Sequence, residues 1–149
     1  MHPLRVAVVQ AAPVVFDVEK TLARLRDLAA EAARQGAKLA VFPEAFVSAY
    51  PKGLGFGARM GTRSPEGREE FRRYFDSAVE VPGPATEAIG AAARRHHLFL
   101  VVGVVEREGG TLYCTALFFG PDGTLLGKHR KLMPTALERL VWARVTAPP

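Results

Sequence analysis

Leu39-Ala40-Val41-Phe42-Pro43-Glu44-Ala45-Phe46 ends an apolar run on a carboxylate. Gly36 precedes the run, and Pro43 has no N–H with which to continue a central ladder, so the stretch reads as a short buried strand that stops before Glu44. In α/β proteins the ends of strands are where a rigid sheet presents chemical groups to the space that a following loop leaves open. Position alone leaves two readings of Glu44, a catalytic group or a solvated carboxylate in a turn.

Upstream, Arg5 to Gln10 is compact and β-branched and reads as another buried strand. Between the two, Asp17 offers an N-cap, and from Thr21 to Gln35 the residues Leu22, Leu25, Leu28, Ala29 and Ala32 recur at helical spacing with charges opposite. Gly36 supplies the stop. Residues 5–43 therefore predict a βαβ unit with two parallel strands, neighbours or near neighbours.

Downstream of Glu44, Ser48 to Pro65 is glycine-rich and has no period, which predicts a long loop. It lacks the Gly-x-x-x-x-Gly-Lys-Ser/Thr pattern of a phosphate-binding loop. Glu66 to Ala78, with Phe71, Tyr74, Phe75 and Ala78 on one face, predicts a second amphipathic helix, and Pro84 opens a third, to about His96. His96 and His97 sit where cations favour the helix dipole; no second ligand pair is spaced to make them a metal site. Leu98 to Val105, Leu112 to Phe119 and Thr124 to His129 predict three strands, with turns at Glu106 to Gly110 and Pro121-Asp122-Gly123. Two hairpins in succession make this part antiparallel, so the sheet is expected to be mixed.

The 149 residues suffice for one domain with a core, and 48% hydrophobic with 23% charged residues is a globular composition. The net charge of +5 comes from dispersed arginines rather than a basic stripe with interleaved aromatics, which argues against nucleic acid. No run approaches the roughly 18 apolar residues of a membrane span. The single cysteine, Cys114, cannot form an internal disulfide, and a cytoplasmic location is expected. Cys114 lies within a strand with apolar neighbours, and packing rather than nucleophilic chemistry is expected of it.

Gly127-Lys128-His129-Arg130-Lys131-Leu132-Met133-Pro134-Thr135 leaves the last strand with four adjacent basic residues. A solvated charge run is one reading. In the other, alternation turns His129 and Lys131 to one side and Arg130 to the opposite side, and a lysine at a strand terminus stabilises an anion.

Taken in order, Pro43-Glu44-Ala45-Phe46, Tyr50-Pro51-Lys52-Gly53, Val81-Pro82-Gly83-Pro84, His129 to Thr135 and Glu138-Arg139-Leu140 resemble the nitrilase branch of the carbon-nitrogen hydrolase superfamily. The resemblance covers about residues 4–142. It implies an αββα sandwich and a Glu, Lys, Cys catalytic set that hydrolyses a nitrile to a carboxylic acid and ammonia, with no metal or organic cofactor. Carried onto this sequence, it implies Glu44 as general base, Lys131 as stabiliser of the tetrahedral intermediate and Glu138 as an accessory carboxylate.

The chain departs from the family at the nucleophile, which lies in a Cys-Trp-Glu type motif well beyond the lysine. Cys114 precedes Lys131 and does not match it. Residues 1–142 are therefore expected to be the amino-terminal portion of one carbon-nitrogen hydrolase domain, with a divergent tail at 143–149, half of the sandwich and no activity alone. Exposed apolar sheet faces are expected to drive self-association or pairing with nitrilase subunits. Two alternatives stand beside this: a non-catalytic interaction protein that binds full-length nitrilase subunits, and a fragment of an amide-directed carbon-nitrogen hydrolase.

Overall fold

The computed structural model describes residues 3–57 and 64–145. The βαβ unit forms as expected: β1 (Val6–Val8), α1 (Val18–Arg34) and β2 (Leu39–Val41), with β1 and β2 adjacent and parallel. Asp17 caps α1, its side chain accepting from the Lys20 N–H at 2.9 Å, one turn earlier than the apolar period alone suggested. α2 (Pro65–Asp76) is capped by Ser64, and α3 (Pro84–His96) begins on a proline and ends at His97, whose φ of 50° closes it in the left-handed region. Part of the long loop expected over 48–65, residues 58–63, lies outside the described residues.

β3 (Phe99–Glu108), β4 (Thr111–Phe119) and β5 (Leu125–Arg130) complete one five-stranded sheet in the order β1-β2-β3-β4-β5. β2 and β3 are parallel, while β3, β4 and β5 form the antiparallel meander. The first hairpin is tighter than the sequence suggested. Glu106 to Glu108 belong to β3, and the turn is left to Gly109 and Gly110, because cross-strand pairing extends to Glu108 opposite Thr111.

Alternation along each strand separates two faces. On one, Leu100, Val102, Val104, Leu117 and Phe119 pack against Leu25 and Ala29 of α1 and Ile89 and Ala93 of α3. On the other, Val6, Val8, Phe99 and Phe118 are exposed. Among the described residues, only one end of that second face is covered. There Tyr74 of α2 and Trp142 join Val105, Leu112 and Cys114 in a second core, and the Trp142 indole donates to Tyr74 Oη at 2.9 Å. No helix among the described residues is long and apolar enough to cross a membrane.

Candidate active site

Glu44 occupies the turn after β2 because Pro43 ends the ladder and Ala45, at φ 47°, reverses the chain. Val47 then rejoins the sheet, its N–H donating to the Gly103 carbonyl at 3.1 Å. Gly103 makes this approach possible. A Cβ there would stand 2.3 Å from Pro43 O and 2.7 Å from Glu44 Cα, closer than carbon atoms tolerate. β3 thus presses directly on the turn that holds Glu44.

Lys131 arrives from the opposite edge of the sheet. Its backbone N–H donates to Cys114 O at 2.7 Å, one residue beyond β5, and its ammonium donates to Glu44 Oε1 at 2.8 Å and to Glu138 Oε1 at 3.1 Å. The indole of Trp142 lies 5.6 Å from the same nitrogen. Burial alone would lower the lysine's pKa, but its bonds to the two carboxylates outweigh that and hold it above the ordinary value.

Glu138 is fixed by its own short 3-10 helix, Ala136–Leu140. Its Oε2 accepts from the Thr135 N–H at 2.7 Å, while its Oε1 accepts from Tyr50 Oη at 2.6 Å. Burial pushes this carboxyl up, yet the bonds from Tyr50, Thr135 and Lys131 prevail and hold it at about 2. Glu138 is therefore an anion throughout the neutral range, and it keeps Lys131 cationic beside Glu44.

Cys114 stands closer to this group than its sequence context suggests. It is buried in the second core, as packing requires, but its Sγ is also 3.4 Å from Glu44 Oε1. Burial, then the Glu44 carboxylate, push the thiol up to about 12. At neutral pH it is a hydrogen-bond donor and not a thiolate. Cys114, Glu44 and Lys131 line an open cleft of about 310 Å³ on the uncovered sheet face, with Phe42, Gly103 and His129 around them. A second, smaller hollow of about 210 Å³ lies behind Glu138, between Tyr50, Phe56 and Leu137.

Glu44 from the turn after β2 and Lys131 and Glu138 from the segment after β5 are thus brought into one hydrogen-bonded chain. His129 shares the Lys131 side of β5 and Arg130 the other, as alternation demands. His96 and His97 lie at the end of α3, and no group of three or more potential metal ligands occurs among the described residues. Tyr50 and Thr135 stand in stretches that the sequence singles out, but no role in the site was expected of either. Thr135-Ala136-Leu137-Glu138 has the spacing of a capping box, the one local signal that could have assigned Thr135 to Glu138. Tyr50 had no such signal, since its contact spans 88 positions.

A profile of the carbon-nitrogen hydrolase family matches residues 5–149. An aliphatic nitrilase of Sinorhizobium fredii (strain HH103) is 58% identical over 142 residues, 95% of this chain and 46% of that protein. A bifunctional nitrilase/nitrile hydratase of Lupinus angustifolius is 52% identical over 139 residues, 93% of this chain and 40% of that protein. This chain thus spans less than half the length of these relatives. The solved structure of an amidase from Nesterenkonia sp. superposes with a TM-score of 0.71 at 24% identity, over 98% of this chain and 49% of that one, a likeness of fold. By the profile that matches residues 5–149, the chain belongs to the carbon-nitrogen hydrolase family.

Proposed function

We propose that this chain contributes the base, the lysine and the accessory carboxylate of a nitrilase site that converts a nitrile into a carboxylic acid and ammonia. The observation that carries the reading is Lys131 Nζ, held at 2.8 Å from Glu44 and 3.0 Å from Glu138 by two carboxylates that it alone bridges among the described residues. In this reading Glu44 takes the proton of a thiol nucleophile, which then adds to the nitrile carbon to give a thioimidate. Water adds to that carbon and ammonia leaves, giving a thioester. A second water releases the acid and returns the thiol. Lys131 stabilises the negative charge that develops at the attacked carbon's substituent in each addition.

The nucleophile in this reading is a thiol that the 149-residue sequence does not contain. Cys114 is protonated at neutral pH, and it stands behind the Lys131–Glu44 pair as a donor. The chain alone is accordingly proposed to be inactive. Its exposed apolar face, with Val8, Phe99 and Phe118, favours self-association or pairing with nitrilase subunits. Its single cysteine agrees with a cytoplasmic location.

The reading is tested by a graft in which this sequence replaces the matching 142 residues of the S. fredii aliphatic nitrilase. Ammonia release from aliphatic nitriles by the folded graft supports it. A folded graft that releases none from any nitrile contradicts it.

A further inference from the structure

Glu106 is the least exposed carboxylate among the described residues, at 1%, and the chemistry above does not use it. It lies on β3, two strands away from β5, on the face opposite the cleft. Yet its carboxylate is filled from β5. Lys128 Nζ donates to Oε1 at 2.5 Å, and Arg130 donates through Nη2 to Oε1 at 2.7 Å and through Nε to Oε2 at 2.9 Å. Thr115 of β4, beneath them, donates to Oε2 at 2.7 Å. The Arg130 guanidinium also lies 3.8 Å from the Tyr113 ring and reaches Glu108 at the rim.

β5 needs such a fastening. It is an edge strand, and its register against β4 shifts at Phe118/Phe119. Because side chains alternate, a slip of one residue would turn Lys131 to the helix face and put Arg130 in the cleft. Glu106 selects between these registers. In the observed one, Lys128 and Arg130 find a buried anion on the helix face, and His129 and Lys131 fall on the other. In the slipped one, Lys128 and Arg130 would face the cleft, and the buried carboxylate would lose the two-point guanidinium contact of Arg130 and meet His129 and Lys131 instead, a poorer match to a carboxylate.

We infer that Glu106 is a positioning residue for Lys131: by clamping Lys128 and Arg130 across β4, it fixes the register of β5 that delivers the Lys131 ammonium to Glu44. The catalytic use of Lys131 rests on the proposed nitrilase reading; the positioning itself does not, and its test involves no nitrile.

The test is Glu106→Gln in the 149-residue chain, with Glu108→Gln as the control that removes a rim charge from the same arginine. Two readouts are followed by NMR. The first is hydrogen exchange of the Lys131 amide, bonded to Cys114 O; the second is the titration of the Lys131 ammonium through its Nζ and Cε shifts. With Glu106→Gln, protection of the Lys131 amide is expected to fall at least tenfold while that of Leu100 changes less than twofold. The lysine's titration is expected to move down toward the ordinary lysine value. Glu108→Gln should leave both readouts as in wild type. If Glu106→Gln does not fold, Lys128→Met, at a half-exposed position, should move both readouts in the same direction by a smaller factor. Unchanged Lys131 readouts in a folded Glu106→Gln or Lys128→Met chain, or an equal loss of protection in every strand, would overturn the inference. A failed graft with these shifts intact would sink the nitrilase reading and leave the clamp standing.

Discussion

Lys131 Nζ lies 2.8 Å from Glu44 Oε1 although 87 positions separate the two residues. One stands at the end of a parallel strand, the other just past the end of an antiparallel edge strand, and the whole width of the β3–β4 meander lies between them in the chain. The same carboxylate oxygen also receives the Cys114 thiol at 3.4 Å. Both donors converge on Oε1, so Oε2 is the oxygen available to an incoming proton. In the proposed nitrilase reading, a lysine held in this place is already positioned to stabilise the charge that develops at each addition, at no reorganisation cost.

Gly103→Ala is expected to destabilise the chain by about 1–3 kcal/mol, the range for overpacking against atoms that cannot move aside. The added methyl would meet the backbone of Pro43, Glu44 and Ala45. Urea unfolding measures the loss, and wild-type stability in this variant would mean that the Glu44 turn is not seated on β3 as described.

Acid should unfold the chain through Glu106 and Glu138. Both carboxyls are held at about 2 in the folded protein against 4.5 ordinarily. A depressed carboxylate stabilises the fold above its unfolded value, and that contribution is lost as pH falls from about 4.5 toward 2. Glu106→Gln should lower stability at pH 7 by about 1–3 kcal/mol and flatten the acid limb. Thermal unfolding between pH 2 and pH 7 checks this, and parallel curves for the two proteins would contradict it.

Cys114 should resist alkylation at pH 7 and pH 8, since burial and Glu44 push its thiol up to about 12. Glu44→Gln removes the second of those causes, so alkylation should become faster while burial still slows it. Neither the 149-residue chain nor its Cys114→Ala variant should release ammonia from nitriles. Release that disappears with Cys114→Ala would make Cys114 the nucleophile and overturn the assignment.

The uncovered sheet face should make the isolated chain associate. Val8, Phe99 and Phe118 lie exposed on one side of the sheet, and apolar patches of that kind drive self-contact. Light scattering is expected to show species larger than 16.2 kDa, and Val8→Lys with Phe118→Glu to return them toward that mass. A monodisperse wild-type monomer would contradict it.

The elements were legible in the sequence because each carries its own local signal: β-branched runs for β1 and β2, the period of Leu25, Ala29 and Ala32 for α1, and paired turns for the meander. Boundaries were less so, as where β3 runs on through Glu106 to Glu108, because pairing with Tyr113 to Thr111 decides them. The side on which Lys131 falls followed from alternation. Apart from Thr135, whose capping-box spacing ties it to Glu138, the partners of Glu44 and Glu138 did not follow from local pattern. Tyr50, Cys114 and Glu138 are drawn together by the tertiary fold, and no spacing records that. Resemblance to a family supplied Glu138, and only the structure showed that Cys114 touches Glu44.

The most direct measurement is ammonia release from an aliphatic nitrile by the graft carrying Lys131→Met, beside the unmodified graft and a Glu108→Gln control. Loss of one charge stabiliser at the reacting centre lowers kcat by about 10²–10³ or more. A drop of that size is expected for Lys131→Met, with the graft still folded and the control unchanged. Activity within tenfold of the unmodified graft would show that Lys131 does not act on the reacting group and would contradict the account.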